Sequence, residues 1–349
     1  MTISKLDKNA LYKWWYLPFL VYILPNVIMG LFVIETKLLL VDGIPTLLTA
    51  STLQIILAVA TIIGCMYYIT FLSQYFNRQA FHYKDRPVGQ YMSVVIFLLQ
   101  FLDLLSLLLF NYGRVGNTQN PDNILIQIVS RLPTDVLFLL YYGHKRKQGI
   151  PYVNLSLYLL INIMRGWTGI WLLLFFIEIY FQLKKVPFGK IAKYSALVFV
   201  IIFALYPTIN KYKYLIRGGE DYHEYTILES AGELAVRLQH ATNVILIAQE
   251  ANILKNALNK GNIMPYYLDN RIGSYFVNAN SMNIEKYLSV NYLIDRSSLN
   301  TNVDIDNLGW YVHVGMAGWL FILSPVGLFF YIIFITVLII SPFLINHYF

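Results

Sequence analysis

Long apolar runs with few charges are the dominant feature of this 349-residue sequence. About 20 consecutive apolar residues are enough to cross the ~30 Å hydrocarbon layer of a bilayer. Hydrophobic residues make up 57% of the chain and charged residues only 13%, which is more apolar surface than a soluble chain of this length can bury. The runs lie at roughly 14–34, 51–76, 91–112, 123–143, 152–164, 169–183, 193–208 and 309–346. The sequence therefore predicts an all-α polytopic membrane protein with about 8–10 membrane-embedded helices.

Basic residues are distributed unevenly over the connections between these runs. Cytoplasmic connections of membrane proteins carry an excess of Lys and Arg. The stretch 208–310 holds 9 basic and 11 acidic residues, so we place it on the outer side. This orientation accounts for the formal charge of +7, and we expect no nucleic-acid partner. The connections placed inside hold 13 basic residues, namely Lys5, Lys8, Lys13, Arg78, Lys84, Arg86, Lys145, Arg146, Lys147, Lys184, Lys185, Lys190 and Lys193, against Asp7 and Asp85.

Both ends of the segment 152–183 carry cytoplasmic signatures, although its length suits neither one straight span nor two full ones. A hairpin of two short helices, each about 13–17 residues long and meeting at Arg165–Gly169, resolves this conflict because glycine permits the turn. A single long tilted helix is the alternative. The predicted domains are an N-terminal transmembrane bundle at 1–208, a periplasmic loop subdomain at 209–309, and C-terminal membrane segments at 310–349.

The loop subdomain and the C-terminal run each contain a further signal. Apolar residues recur at helical spacing from Leu228 to Leu258 and predict one long amphipathic helix. The C-terminal run is broken at 324–327, so it forms either one segment plus one span or two spans. The side on which the C-terminus lies is left open.

Five charged residues lie in or beside apolar runs, where each ionised side chain costs about 2–3 kcal/mol on insertion scales. Arg131 and Asp135 are four residues apart, so they form either an internal ion pair or an outward cavity in which Arg131 binds an anionic group. Arg165 has no acid near it in sequence, which favours a ligand role for this cation over an interaction with headgroups. The remaining two are Asp103 and Glu178.

The outer loop carries a second candidate group. Glu233, Arg237 and His240 follow i, i+4 and i+7 spacing and would share one helix face. They form either a surface salt bridge or part of a site that handles a phosphate-linked leaving group and a hydroxyl. His313 lies where the loop meets the bilayer, and its role is either structural or catalytic.

Metal and cofactor motifs are missing from the sequence. Cys65 is the only cysteine, so neither a disulfide nor a cysteine metal cluster is available within the chain. The sequence has no nucleotide-binding loop and, apart from Asp304-Ile305-Asp306, no Asp-x-Asp motif in the outer loop. We therefore predict an activity without a metal ion and without a cofactor.

Several strings point to one family. They are Asn154–Leu157, Asn162–Gly169 (Asn-Ile-Met-Arg-Gly-Trp-Thr-Gly), the long outer loop with its Arg237 segment, and Gly309–Gly318. Together they resemble bacterial oligosaccharide repeat-unit polymerases of the O-antigen polymerase (Wzy) type. The resemblance implies a metal-independent, inverting glycosyltransferase in the bacterial inner membrane. It would polymerise undecaprenyl-pyrophosphate-linked oligosaccharide repeat units into O-antigen or capsule-like polysaccharide on the periplasmic face.

The resemblance also implies roles for individual residues and partners. Arginines are expected to hold the pyrophosphate, and a histidine or acid is expected to assist the acceptor hydroxyl. Besides the lipid-linked substrate and membrane lipids, a chain-length regulator protein is an expected partner. The candidate substrate-binding residues are Arg131, Arg165, Arg237 and Trp167, and the candidate catalytic residues are His240, His313 and Glu233.

Alternatives remain for the tryptophan and for the function. Trp167 either stacks on a sugar ring or anchors the chain at the membrane interface. An O-antigen ligase would use the same donor and transfer the glycan to lipid A core. A transporter of lipid-linked glycans is the non-enzyme alternative, although it would need no outer loop of this length. The span count is below that of many members of the polymerase family.

Cysteine labelling tests the predicted topology in a Cys65→Ser background. We expect Lys260→Cys to react with an impermeant thiol reagent in intact spheroplasts, because the charge pattern places this residue outside. Lys147→Cys and Lys184→Cys should react only after permeabilisation. Labelling of either residue in intact spheroplasts would refute the hairpin arrangement.

Overall fold

The computed structural model describes residues 22–41, 44–78, 90–110, 134–146, 148–166, 169–183, 188–216, 226, 229, 239–268, 281–294 and 314–348. It is mostly helical, with 82% helix, as the apolar runs predict. Two of its helices contain stretches long and apolar enough to cross a membrane, Thr52–Phe76 and Tyr91–Phe110. The larger number of membrane-embedded helices stays a prediction.

The helices are numbered in chain order. They are α1 (Tyr22–Thr36), α2 (Thr52–Arg78), α3 (Gln90–Phe110), α4 (Thr134–Lys145), α5 (Tyr152–Arg165), α6 (Gly169–Leu183), α7 (Phe188–Ile216), α8 (Ala241–Gln249), α9 (Ala251–Asn259), α10 (Ile284–Leu288), α11 (Gly315–Ile322) and α12 (Pro325–Tyr348). A π-helix, Ser289–Ile294, follows α10 directly. Strands β1 (Leu39–Val41) and β2 (Ile44–Thr46) form a small antiparallel sheet that the all-α prediction did not include.

Two helix breaks lie where the sequence places them. α5 ends at Gly166, whose left-handed backbone (φ 74°) is accessible to glycine without a Cβ penalty. The 14-residue α5 and the 15-residue α6 match the expected lengths of the two short helices, and their hairpin arrangement stays a prediction. α12 begins with Pro325 after a break at Leu323 and Ser324, because proline fits the first turn of a helix.

The predicted single helix from Leu228 to Leu258 is wrong. His240 has a non-helical backbone (φ −118°, ψ 1°), and α8 begins only at the next residue. The chain breaks again at Glu250, between α8 and α9. Burial gives the reason: α8 is enclosed on nearly all sides from Ala241 to Ala248, whereas α9 buries only one face, through Leu254 and Ala257.

The chain folds into two compact units, and α3 to α7 belong to the first. In this unit α3 packs along α5 through a closed amide network. Asn154 donates to the Ser93 carbonyl oxygen (3.1 Å), and Gln100 donates to the Asn154 carbonyl oxygen (3.0 Å). The ring of Phe138 stacks on that of Tyr158 at 4.1 Å. Amide pairs of this kind fix the register of two helices, since a shift would leave buried polar atoms unpaired.

The second unit contains α1, the small sheet, α2 and α8 to α12. Its centre is the buried α8, which packs against α2 and α11. Gln249 at the end of α8 donates to the Leu47 carbonyl oxygen and accepts from the Thr49 amide, both at 3.1 Å. These bonds attach α8 to the chain that follows β2. The predicted domain boundaries at 208 and 309 concern the membrane and stay predictions.

Close packing between α8 and α11 depends on Gly318. A Cβ at this position would lie 2.6 Å from Val314 Cγ1 and 2.8 Å from Ile247 Cδ1. We expect Gly318→Val to lower the free energy of unfolding by about 1–3 kcal/mol, because overpacking displaces side chains in the core. Urea titration of the protein in mild detergent measures this loss.

Gly64→Val is the matched control in the same unit, because a Cβ at Gly64 meets no atom within 4 Å. Equal losses for the two variants would show that helix propensity, and not the contact with Ile247, sets the cost.

Candidate functional site

Arg165, the last residue of α5, binds carboxylates from two other helices. Its Nη2 lies 2.6 Å from Asp103 Oδ1 on α3, and its Nη1 lies 2.9 Å from Asp135 Oδ2 on α4. The three side chains are largely buried, with exposed fractions of 12% for Arg165, 6% for Asp103 and 22% for Asp135. One guanidinium therefore links α3, α4 and α5.

The prediction that Arg165 is a cation without a compensating acid is wrong. Sequence spacing detects partners only within one helix, whereas Asp103 and Asp135 reach Arg165 from separate helices. An ion pair between Asp135 and Arg131 is one of the two alternatives that the sequence leaves open. Asp135 contacts Arg165, and Arg131 lies outside the described residues, so that pair stays a prediction.

Polar side chains of α5 complete this group. Asn162 Nδ2 donates to the Tyr158 carbonyl oxygen (2.9 Å) and lies 3.4 Å from Asp135 Oδ1. Tyr158, Asn162 and Arg165 are spaced i, i+4 and i+7, so they share one helix face. Tyr158 is 1% exposed, and its hydroxyl is buried. We call Asp103, Asp135, Tyr158, Asn162 and Arg165 the Arg165 cluster.

Several polar atoms of the cluster are buried without a hydrogen-bond partner in the described part of the chain. They are the Tyr158 hydroxyl, Asn162 Oδ1 and Arg165 Nε. Buried polar groups in folded proteins are nearly always satisfied, and exceptions mark strain, a functional role, or a bound water or ion. Each Nη atom of Arg165 already contacts a carboxylate, so Nε is the guanidinium nitrogen without a partner among the described residues.

Glu178, a charged residue within an apolar run, forms an ion pair with Arg146. Arg146 donates to both carboxylate oxygens of Glu178, from Nε at 2.8 Å and from Nη2 at 3.0 Å. The Tyr142 hydroxyl donates to the same carboxylate at 2.6 Å. The hydrogen bonds to Glu178 raise the pKa of the Arg146 guanidinium above its ordinary value. This bidentate pair joins α6 to the residue that follows α4.

His240 lies in the second unit, immediately before α8. Its backbone N–H donates to Asn26 Oδ1 (2.7 Å), and its ring lies 5.8 Å from that of Tyr22, measured between centroids. Asn26 is fully buried and donates to the Tyr22 carbonyl oxygen (2.6 Å). Gln239 and Thr242 exchange hydrogen bonds beside it. α1 therefore holds the backbone of His240 and packs against its ring.

The other predicted site residues fall outside the described ranges: Arg131, Trp167, Glu233, Arg237 and His313. Of Glu233, Arg237 and His240, only His240 is described, so their shared helix face stays a prediction. Arg165 and His240 belong to different units. Among the described residues, no group of three or more His, Cys, Asp or Glu side chains could hold a metal ion.

Sequence reasoning missed the roles of Asn26, Tyr158 and Asn162. For the last two, a signal was present, since they share a helical stripe with Arg165 inside an apolar run. For Asn26 no signal was available, because its partner His240 lies 214 residues away in sequence.

We expect Arg165→Ala to lower the free energy of unfolding by about 3–5 kcal/mol, because it leaves two buried carboxylates without their common cation. Arg146→Ala is the matched control and should cost less, since the side chain of Glu178 is 33% exposed and can be hydrated. Urea titration in mild detergent measures both losses. Equal losses of unfolding free energy for the two variants would mean that burial of the carboxylates does not determine the size of the loss.

Comparisons of the chain with protein-family models, with curated proteins and with solved structures find no match. The resemblance to O-antigen polymerases therefore rests on the residue strings quoted above.

Proposed function

We propose that the chain is a multi-pass enzyme of the bacterial inner membrane that polymerises lipid-linked oligosaccharide repeat units. The apolar surface supports the membrane location. Only 22% of the apolar window in Thr52–Phe76 and 28% of that in Tyr91–Phe110 is buried inside the protein. A soluble protein would have to leave these helices in contact with water, whereas lipid is a favourable solvent for them.

The observation that carries the proposal is the composition of the Arg165 cluster. Asn162 and Arg165, two residues of the string that resembles O-antigen polymerases, contact Asp135 on a different helix. An ion cluster among apolar helices is costly, and hydrophobic replacements are often neutral or stabilising. Charged residues inside membrane-embedded helices usually bind substrates or line ion pathways. A role in function therefore accounts for these polar and charged residues of the string better than a role in stability alone.

In the proposed reaction, a hydroxyl of the acceptor repeat unit attacks the anomeric carbon of the donor glycan. The bond from that carbon to the pyrophosphate oxygen breaks, and the configuration inverts. Arginine side chains neutralise the departing undecaprenyl pyrophosphate, and a histidine or an acid takes the hydroxyl proton. Arg165 contributes to pyrophosphate binding through its Nε–H, or after it exchanges Asp103 or Asp135 for a phosphate oxygen.

Deletion of the gene from its native host separates the candidate functions. Loss of a polymerase should leave surface glycan with a single repeat unit, because ligation and transport continue. Loss of a ligase would leave no repeat unit on lipid A core, and loss of a transporter would trap lipid-linked units on the cytoplasmic face. An unchanged glycan ladder on gel electrophoresis would refute all three.

Complementation with Arg165→Lys tests the role of the guanidinium at matched membrane abundance. A loss of polymerisation rate of about tenfold to a thousandfold is expected, since the single nitrogen of lysine cannot replace the several N–H donors of a planar guanidinium. Arg146→Lys is the control, an ion-paired arginine outside the cluster. A full ladder from Arg165→Lys would remove Arg165 from the mechanism and leave the polymerase assignment intact.

A further inference from the structure

We propose that the second unit binds a zwitterionic phospholipid, with the ammonium of its headgroup in an aromatic cavity and an acyl chain in the adjoining groove along α12. The inference rests on the membrane location proposed above and is independent of the polymerase activity. Its basis is a pair of adjoining cavities in this unit, the side chains that line each of them, and the apolar surface on which the groove opens.

The smaller cavity has a volume of about 200 Å³ and is lined by four aromatic side chains. Tyr266 is the common neighbour of the other three. Its ring centroid lies 4.7 Å from that of Tyr331, 5.4 Å from that of Phe334 and 5.9 Å from that of Trp319. The three rings are inclined to that of Tyr266 by 71°, 54° and 72°, so the group is not a parallel stack. The cavity therefore lies beside several π-systems at once.

Glu285 lines the same cavity and supplies its negative charge. It lies in the first turn of α10, where its backbone N–H donates to Asn283 Oδ1 (2.7 Å) and so fixes the start of the helix. Aromatic rings attract a cation within about 6 Å of their centroids, and a carboxylate attracts it as well. The same carboxylate repels anions. A cavity of this composition selects an ammonium group over an uncharged or an anionic one.

The larger cavity is a mostly apolar groove of about 920 Å³ along α12. One wall is a stripe of this helix, and the facing wall comes from α9 and the segment 261–268. Apolar cavities are poor sites for water, and ligand pockets of this size are typically lined by hydrophobic and aromatic side chains. Tyr266 and Phe334 line both cavities, so the groove adjoins the aromatic cavity directly. The helix stripe consists of Gly327, Phe330, Phe334 and Val337.

The groove opens on an apolar surface of α12. Phe330 and Val337 line the groove and are each 58% exposed. Val326 and Phe329 on the same helix are 67% and 62% exposed. In the membrane location proposed for the chain, the acyl chains of the bilayer contact these side chains. An acyl chain therefore enters the groove from its neighbours without crossing a polar barrier, and a bilayer lipid is the occupant that reaches it.

The two cavities together distinguish a zwitterionic phospholipid from other ligands. A free ammonium compound would fill the aromatic cavity and leave the apolar groove empty. A lipid with an anionic headgroup would place negative charge beside Glu285. A zwitterionic phospholipid carries a hydrocarbon chain and a terminal ammonium in one molecule, and its phosphate stays outside the aromatic cavity. This lipid is therefore the ligand that matches both cavities.

Native mass spectrometry of the full chain in mild detergent tests the proposal. The protein is offered phosphatidylethanolamine and phosphatidylglycerol with the same acyl chains at equal concentration, and the bound fraction of each lipid is measured. We expect phosphatidylethanolamine to bind about threefold to thirtyfold more tightly, which is the range for a cation held by aromatic rings.

Two pairs of variants test the two parts of the site. Glu285→Gln should lower the preference for phosphatidylethanolamine about twofold to fivefold, whereas Glu35→Gln, at an exposed carboxylate on α1, should leave it unchanged. Val337→Trp fills the groove and should weaken the binding of both lipids about tenfold, equivalent to excluding about two methylene groups. Val326→Trp is its control, because Val326 is exposed on the same helix and does not line the groove.

Equal binding of the two lipids to the wild-type protein would overturn the proposal, and this measurement needs no variant to fold. A preference that survives both Glu285→Gln and Val337→Trp would overturn it too, because the lipid would then bind elsewhere. Alkaline extraction of cell membranes tests the location separately. Release of the chain without detergent would refute the membrane location and the lipid site together, whereas a membrane-bound chain without a lipid preference would refute the lipid site alone.

Discussion

A single guanidinium that bridges two carboxylates organises the first unit of the protein. Arg165 at the end of α5 contacts Asp103 from the middle of α3 and Asp135 from the first turn of α4. Apolar side chains could pack these helices in several registers of similar energy, since hydrophobic contact has no direction. Charged hydrogen bonds have direction, and their loss inside an apolar unit is costly. The cluster therefore selects one arrangement, together with the amide network around Asn154.

In the second unit, close packing of side chains selects one arrangement of the helices. The central helix of this unit, α8, is buried on nearly every side, so each neighbour must fit closely. Gly318 permits α11 to approach Ile247, and the hydrogen bonds of Gln249 and Asn26 secure the two ends of α8. A charged residue in α8 would have no water to hydrate it. Consistent with this, the polar residues of α8, Thr242, Asn243 and Gln249, are uncharged.

Local sequence signals predicted the local structure well. Gly166 and Pro325 determine helix ends through their own backbone preferences, which act whatever surrounds them. The pairing of Arg165 could not be predicted, because spacing along one helix does not indicate which other helix will face it. The break at Glu250 was missed for a related reason. The sequence has helical periodicity both before and after Glu250. The burial of α8 within the unit determines where the chain changes direction.

The buried acids change what Arg165 can do in the proposed polymerase. An arginine free in a cavity would bind pyrophosphate strongly in both substrate and product, and the product would leave slowly. An arginine already paired with Asp103 and Asp135 binds an added anion more weakly, because phosphate oxygens must compete with two carboxylates. Weak binding is an advantage for an enzyme that must release undecaprenyl pyrophosphate after every addition.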